Sequence, residues 1–295
     1  MTIGEHMSED WLTSLDVNAA FDRPWVDAAV AWLLDDPLVG PVVDVGCGAG
    51  AAACAFAHGV ARSARTAAAP VAVMGLDRDP RLLAQGERRA TSEGVAGAVS
   101  WVAGGLGRLP LPPGSAGVVW ASGVVHHVAD QQAAVDELAR LLVPGGTLVL
   151  VEGGLPLRCL PHEIGVGRPG LEARLDEARA RWFVDMRAEL HGPELPYGWP
   201  EALARAGLTG VRARSFTAES TPPLDDVGRR IATAHLTAAR DELGDRLAAD
   251  DREVVAQLLD PDGPHWLGRR GDLVVTAART VLAGTRPGGP HTGEM

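Results

Sequence analysis

From residue 42 to about residue 152, short and nearly uncharged apolar runs alternate with stretches whose apolar positions recur every three to four residues. The alternation predicts strands over 42–46, 71–76, 98–103, 117–121 and 147–152, with helices over 50–61, 80–93 and 130–142. Strands apolar on both faces and separated by amphipathic helices predict an α/β, doubly wound, mostly parallel sheet covered on both sides. Pro144-Gly145-Gly146 reads as a helix stop.

Outside this block the rhythm changes. The first forty residues hold two helical patterns, one with Trp11, Leu12 and Leu15, the other with Trp25, Val26, Ala29, Val30 and Leu33. After Glu152 a Pro/Gly-rich stretch leads to a helix over 171–190, with Leu171, Leu175, Trp182, Met186 and Leu190 near one face. A short helix stopped by Gly207, a strand over 211–217, a helical insertion over 225–260 and an apolar strand over 272–281 follow. The expected organisation is a helical cap at 1–40 and a sheet domain of 41–219 and 266–283, with a substrate-side insertion at 153–198. A helical lid at 220–265 and a tail at 284–295 of disordered composition complete it.

Composition narrows the chemistry. With 295 residues, 46% of them apolar, the chain can bury a full core. The formal charge is −11 and all 27 fixed cations are arginine, which removes lysine as base or Schiff-base former and disfavours nucleic acid as a partner. No apolar run reaches the ~18 residues of a membrane span, and the acidic start MTIGEHMSEDW is unlike a secretory signal, so a cytoplasmic protein without a membrane partner is expected. Cys47, Cys54 and Cys159 have no metal-type spacing, so neither a disulfide framework nor a zinc site is indicated, and the expected metal content is none.

The sharpest local signal is VVDVGCGAG at 42–50, an apolar strand carrying Asp44, then Gly46, Cys47, Gly48 and Gly50 at the entry to an alanine-rich helix. Such glycines let the backbone turn tightly and approach a ligand, and the helix N-terminus offers unpaired N–H groups. Gly46, Gly48 and Ala51 also satisfy the dinucleotide-binding form. The acid that would serve a ribose there comes ~20 residues on. Asp77 lies later than that, which weakens a nicotinamide oxidoreductase reading.

Four blocks together resemble the class I S-adenosylmethionine-dependent methyltransferases, in their small-molecule branch. They are Asp44 to Gly50, VMGLDRDP around Asp77, ASGVVHHVAD at 121–130 and LARLLVPGGTLVLVE at 138–152. The resemblance implies S-adenosyl-L-methionine as cofactor and a seven-stranded Rossmann-like sheet whose last strand is antiparallel and lies beside the fifth. It places Asp77 on the ribose hydroxyls and Arg78 along the adenine, with Gly105, Leu106, Ser122 and Gly123 also in the cofactor pocket. Where the family often carries an acid after strand three this chain has Gly105, and Gly117 stands near the position of another at strand four. Adenine would then be held by backbone groups and apolar packing.

The implied reaction is in-line methyl transfer to a small-molecule acceptor, an O- or N-methylation of a natural product or metabolite. His126 and His127, just beyond strand four, are the candidate bases, with His127 preferred. His162, Glu163 and His235 are further candidates, and Arg158 and Arg168 are candidate clamps for an acceptor carboxylate. Trp182, Phe183 and Met186 could wall the acceptor, with Tyr197 and Trp199 near the same edge. A homodimer is the assembly considered. The competing reading with the same fold and cofactor is a cyclase or scaffold that transfers no methyl group.

Overall fold

The computed structural model describes residues 9–63, 71–107 and 109–288, without the side chains of 9–14 and 63. The expectations for Trp11, Leu12 and tail residues 289–295 lie outside what is described. The elements are α1 (Glu9–Leu33), β1 (Val42–Val45), α2 (Ala51–Ser63), β2 (Val73–Asp77), α3 (Pro80–Ser92), β3 (Val99–Ala103), β4 (Ala116–Ser122), α4 (Gln131–Arg140) and β5 (Leu142–Val151). They continue with β6 (Gly154–Arg158), α5 (Leu171–Glu189), α6 (Trp199–Arg205), β7 (Thr209–Ser220), α7 (Asp226–Ala238), α8 (Ala249–Leu259) and β8 (Val275–Thr285).

The sheet runs β3-β2-β1-β4-β5-β8-β6, with β7 also paired to β8. Strands β1 to β5 pair in parallel, and β8 runs antiparallel to β5, with Thr147 opposite Thr285 and Leu150 opposite Leu282. Successive crossovers go outward through β2 and β3 on one side of β1, then return to β4 on the other. Ligand crevices open where strand order reverses in this way, at the carboxyl ends of β1 and β4.

Among the described residues eight strands stand where seven were expected. The extra one is β6, read from sequence as loop because GLPLR carries Pro and Gly and is mostly exposed. Strand β5 begins at Leu142 and contains Pro144-Gly145-Gly146, so α4 stops earlier, at Arg140, and the expected turn is the irregular start of a strand. The two N-terminal patterns form one helix that passes through Pro24. Gly284 and Thr285, expected to open the tail, finish β8.

The chain divides into two compact units, and each is taken alone. The larger holds Trp25–Gly153, Leu190–Phe216 and the chain from Arg279 onward. Its sheet packs Val43, Val45, Val119, Leu138 and Leu148 into one core layer. Trp120 of β4 stacks on Trp25 at 6.3 Å between ring centroids and meets Phe56 edge-on at 5.6 Å. The smaller unit holds Met1–Pro24, Gly154–Glu189 and Thr217–Ala278, with α5, α7 and α8 burying Leu171, Leu175, Ile231, Leu236 and Leu258. Buried Asp251 is neutralised there by Arg174 at 2.8 Å. Among the described residues no helix is long and apolar enough to cross a membrane.

Candidate functional site

At the end of β1 the chain must turn without leaving its neighbours. Gly46 and Cys47 both donate their N–H to the Leu76 carbonyl, at 2.7 and 3.0 Å, which ties the turn to the end of β2. Asp77, the last residue of β2, accepts Gly48 N–H on Oδ2 and Asp79 N–H on Oδ1, each at 2.9 Å. One carboxylate thus ties the glycine turn to the turn after β2, and each oxygen keeps a further lone pair for a ligand hydroxyl.

Two glycines of this turn have different physical reasons. Gly46 has φ +69° and a Cβ there would lie 2.4 Å from Val124 Cγ2, so its backbone packs too closely for any side chain. Gly48 has φ +51° and a Cβ there would meet nothing within 4 Å, so its backbone faces open space. Beneath the turn, Trp101 of β3 fills the space left by three other glycines: a Cβ at Gly50, Gly75 or Gly86 would fall 2.4, 2.5 or 2.6 Å from its ring.

Asp44 faces inward. It is 2% exposed and its Oδ2 accepts the Ala53 N–H of α2 at 3.0 Å. Burial pushes its carboxyl up to about 7, the Ala53 bond opposes that rise, and the Asp77 charge adds to it. A cationic ligand nearby would favour the ionised form. Burial, with Asp44 and Asp77 assisting, also pushes the Cys47 thiol far up, so it stays protonated and is no nucleophile.

On the far side of Asp77, Gly104 N–H donates to the Asp77 carbonyl at 3.0 Å, and Arg78 is exposed. The nearest atom to a Cβ at Gly105 would be Arg78 Cβ at 3.6 Å, so this glycine too borders open space. Leu106, expected against adenine, is largely buried in the core. Gly117 stands at the start of β4 for a steric reason: a Cβ there would meet the Gly40 backbone nitrogen at 2.4 Å.

At the end of β4, half-buried Ser122 pairs with Val151, and Gly123 at φ +64° donates to the Val151 carbonyl at 3.0 Å. The next turn brings His126 Nδ1 to 2.6 Å from Glu152 Oε2. Glu152 follows β5 directly, and its Oε1 accepts the N–H groups of Val124 and Val125 at 2.8 and 2.6 Å. The Glu152 side chain is 1% exposed and that of His126 24% exposed. A carboxylate held against Nδ1 orients the imidazole ring. His127 is exposed, its ring 4.0 Å from that of His126. Trp199 Nε1 donates to the Glu152 carbonyl at 3.0 Å, and the Tyr197 hydroxyl to Gln132 Oε1 at 3.0 Å.

Other sequence candidates take different places. Arg158 and Arg168 already engage carboxylates, Asp176 at 2.6 Å and Asp250 at 2.8 Å. His162, Glu163 and Phe183 are exposed, Trp182 and Met186 half-buried. His235 is buried against Glu172. Sequence reasoning missed Glu152 and Trp101. The available signal was a lone carboxylate closing the apolar run LVLVE, and three glycines whose common neighbour only the fold reveals.

Residues 43–150 match the family described as a methyltransferase domain. A 37.1 kDa protein from a transposon of Streptomyces fradiae is 32% identical over 143 residues, 48% of this chain and 37% of that protein. The ubiquinone/menaquinone biosynthesis C-methyltransferase of a Ruegeria species is 29% identical over 136 residues, 46% of this chain and 51% of its own. A chloroplast protein of Oryza sativa named for tocopherol O-methylation is 29% identical over 110 residues, 37% of this chain and 28% of its own. The chain therefore spans about half or less of the curated relatives it matches. A solved structure from Bacillus halodurans, assigned as a methyltransferase, superposes with TM-score 0.51 at 16% identity, over 88% of this chain and 98% of that one.

The residues present suit an adenosyl amino acid. Gly48 and Gly105 both border open space, and Gly48 N–H binds a carboxylate with spare acceptor capacity. The antiparallel β8 beside β5 completes the sheet that the resemblance implies. Residues 43–150 are a methyltransferase domain.

Proposed function

We propose that the protein transfers the methyl group of S-adenosylmethionine to a nucleophilic oxygen or nitrogen of a small metabolite, with His126 as the proton acceptor. The observation that carries this reading is the buried Glu152 carboxylate fixed on His126 Nδ1 at 2.6 Å. It lies in the turn after β4, and the reversal of strand order opens the ligand crevice at the ends of β1 and β4.

Gly46 to Gly50 and Asp77 would hold the adenosyl amino acid, with Asp77 on the ribose and the exposed Arg78 beside the base. Bound there, the cofactor supplies an electrophilic methyl on a positively charged sulfur. The chain's own contribution is alignment and proton removal. Alignment of two reactants is worth effective molarities on the order of 10⁵ M or more. His126 Nε2 takes the proton that a hydroxyl loses as its oxygen attacks, or that a neutral amine sheds once its nitrogen has accepted the methyl group, a role worth about 10²- to 10⁴-fold. Glu152 keeps the imidazole in the tautomer and orientation that this requires. His127, exposed and with its ring 4.0 Å from that of His126, serves as pocket wall in this reading.

The net charge of −11 and the all-arginine cation set fit a small-molecule acceptor better than a polyphosphate one. The test is incubation with methyl-labelled S-adenosylmethionine and a panel of phenols, alcohols, carboxylic acids and amines. Label should appear in small-molecule products and fall sharply with His126→Ala. Label found only in nucleic acid or protein, or undiminished by the substitution, would contradict the assignment.

A further inference from the structure

Cys159, Glu172 and His235 converge in the smaller unit from three separate stretches: the loop after β6, the first turn of α5 and the last turn of α7. Cys159 Sγ, a Glu172 carboxylate oxygen and a His235 ring nitrogen all lie within 4.8 Å of one another. Each is almost wholly enclosed: Cys159 is 1% exposed, and the side chains of Glu172 and His235 are 8% and 6% exposed. None belongs to the β1–β2–β4 edge, and nothing in methyl transfer calls on them.

We propose that these three side chains form a zinc-binding site that pins β6, α5 and α7 together. The donor set is one sulfur, one imidazole nitrogen and one carboxylate oxygen, the mixture that borderline-soft Zn²⁺ accepts, with a water for the fourth position. Zinc–sulfur bonds of ~2.3 Å and zinc–nitrogen bonds of ~2.0–2.1 Å place tetrahedral donors roughly 3.6 Å apart, so the trio needs to draw in by about 1 Å. His235 Nε2 and Glu172 Oε2 already stand 3.2 Å apart.

The support for the carboxylate is in place. Glu172 Oε1 accepts the N–H groups of Cys159 and Leu160 at 2.7 and 2.9 Å, leaving Oε2 toward the imidazole and the metal position. Such outer bonds orient metal ligands. Charge also closes: Zn²⁺ with one thiolate, one carboxylate and one neutral imidazole makes an uncharged centre, which suits a buried place. Binding displaces the thiol proton, and the imidazole's second proton where it carries one, to water. Without metal, burial and Glu172 push the Cys159 thiol well up, so the proton stays on sulfur. Burial works to raise the Glu172 carboxyl, but the His235 bond and charge and the two backbone N–H groups outweigh it and hold it below its ordinary value.

The test is titration of the chelator-treated full chain with Co²⁺, then Zn²⁺. One equivalent of Co²⁺ should give a thiolate-to-cobalt charge-transfer band in the near ultraviolet, which Zn²⁺ displaces. Cys159→Ser should abolish that band, Cys54→Ala should keep it, and His235→Gln should weaken Co²⁺ binding at least tenfold. Melting temperature should rise with Zn²⁺ in wild type and not in Cys159→Ser. A wild-type chain that gives no thiolate band and melts identically in zinc and chelator overturns the proposal, whatever the variants do. So does a band that persists in Cys159→Ser. The readouts do not involve methyl transfer, so they stand apart from the function proposed above.

Discussion

Replacing Asp44 by Asn removes a charge and little else, because an amide oxygen can still accept the Ala53 N–H that Asp44 Oδ2 accepts at 3.0 Å. In the folded chain the Asp44 carboxyl is raised to about 7 from 3.8, chiefly by burial. A group raised on folding binds its proton more tightly when folded, so its contribution to stability is full below the unfolded value and is lost as pH rises through the folded one. A shift of roughly three units corresponds to a loss on the order of 4 kcal/mol at full ionisation, of which about 2.5–3 kcal/mol falls between pH 5 and 8. For a chain of this size that is roughly 5–10 °C of melting temperature. Melting of cofactor-free wild type and Asp44→Asn, followed from pH 5 to 8, should therefore diverge with rising pH, the variant becoming the more stable. Parallel curves, or a variant that loses ground as pH rises, would refute the assignment of a strained buried carboxylate beneath the glycine turn.

Other consequences are as direct. Glu152→Gln should lower kcat about 10- to 100-fold with KM little changed and should alter the pH–rate profile, since a neutral amide no longer fixes the Nδ1 proton of His126; an unaltered profile would remove Glu152 as its positioning residue. Gly46→Ala should destabilise the fold by about 3 kcal/mol, from φ +69° and the clash with Val124, whereas Gly48→Ala should cost about 1–2 kcal/mol and act mainly on cofactor affinity, because its methyl enters open space. Denaturant melts and calorimetry separate the two. Trp101→Ala should destabilise by about 3 kcal/mol, measured by urea unfolding, because three glycines leave nothing else to fill the space of its ring.

The sequence made the parallel block legible because its strands are apolar on both faces and its helices keep a single apolar stripe. Strand β1, VVDV, is buried at every position, and α3 begins at Pro80 behind an Asp79 cap. Strand β6 was illegible because an exposed five-residue strand, GLPLR, has no alternation to reveal it. Pro144-Gly145-Gly146 misled in the opposite direction, since turn residues can open a strand whose partner bulges. For the site, spacing pointed to the turn at 46–50 and to the histidine pair, with His127 preferred. The proposal of His126 instead rests on Glu152, 26 residues away and adjacent only because β4 and β5 pair. Cysteine spacing likewise gave no hint of Cys159 beside Glu172 and His235, because the three belong to three different elements.

The claim on which the rest depends is that Asp77 and the Gly46–Gly50 turn receive an adenosyl amino acid. Isothermal titration of the full chain with S-adenosylhomocysteine and with NADH, in wild type and Asp77→Ala, tests it most directly. Binding of S-adenosylhomocysteine alone is expected, about 10- to 100-fold weaker in the variant through loss of a charge-assisted acceptor. Binding of NADH in its place, or affinity for S-adenosylhomocysteine that Asp77→Ala leaves untouched, would contradict it.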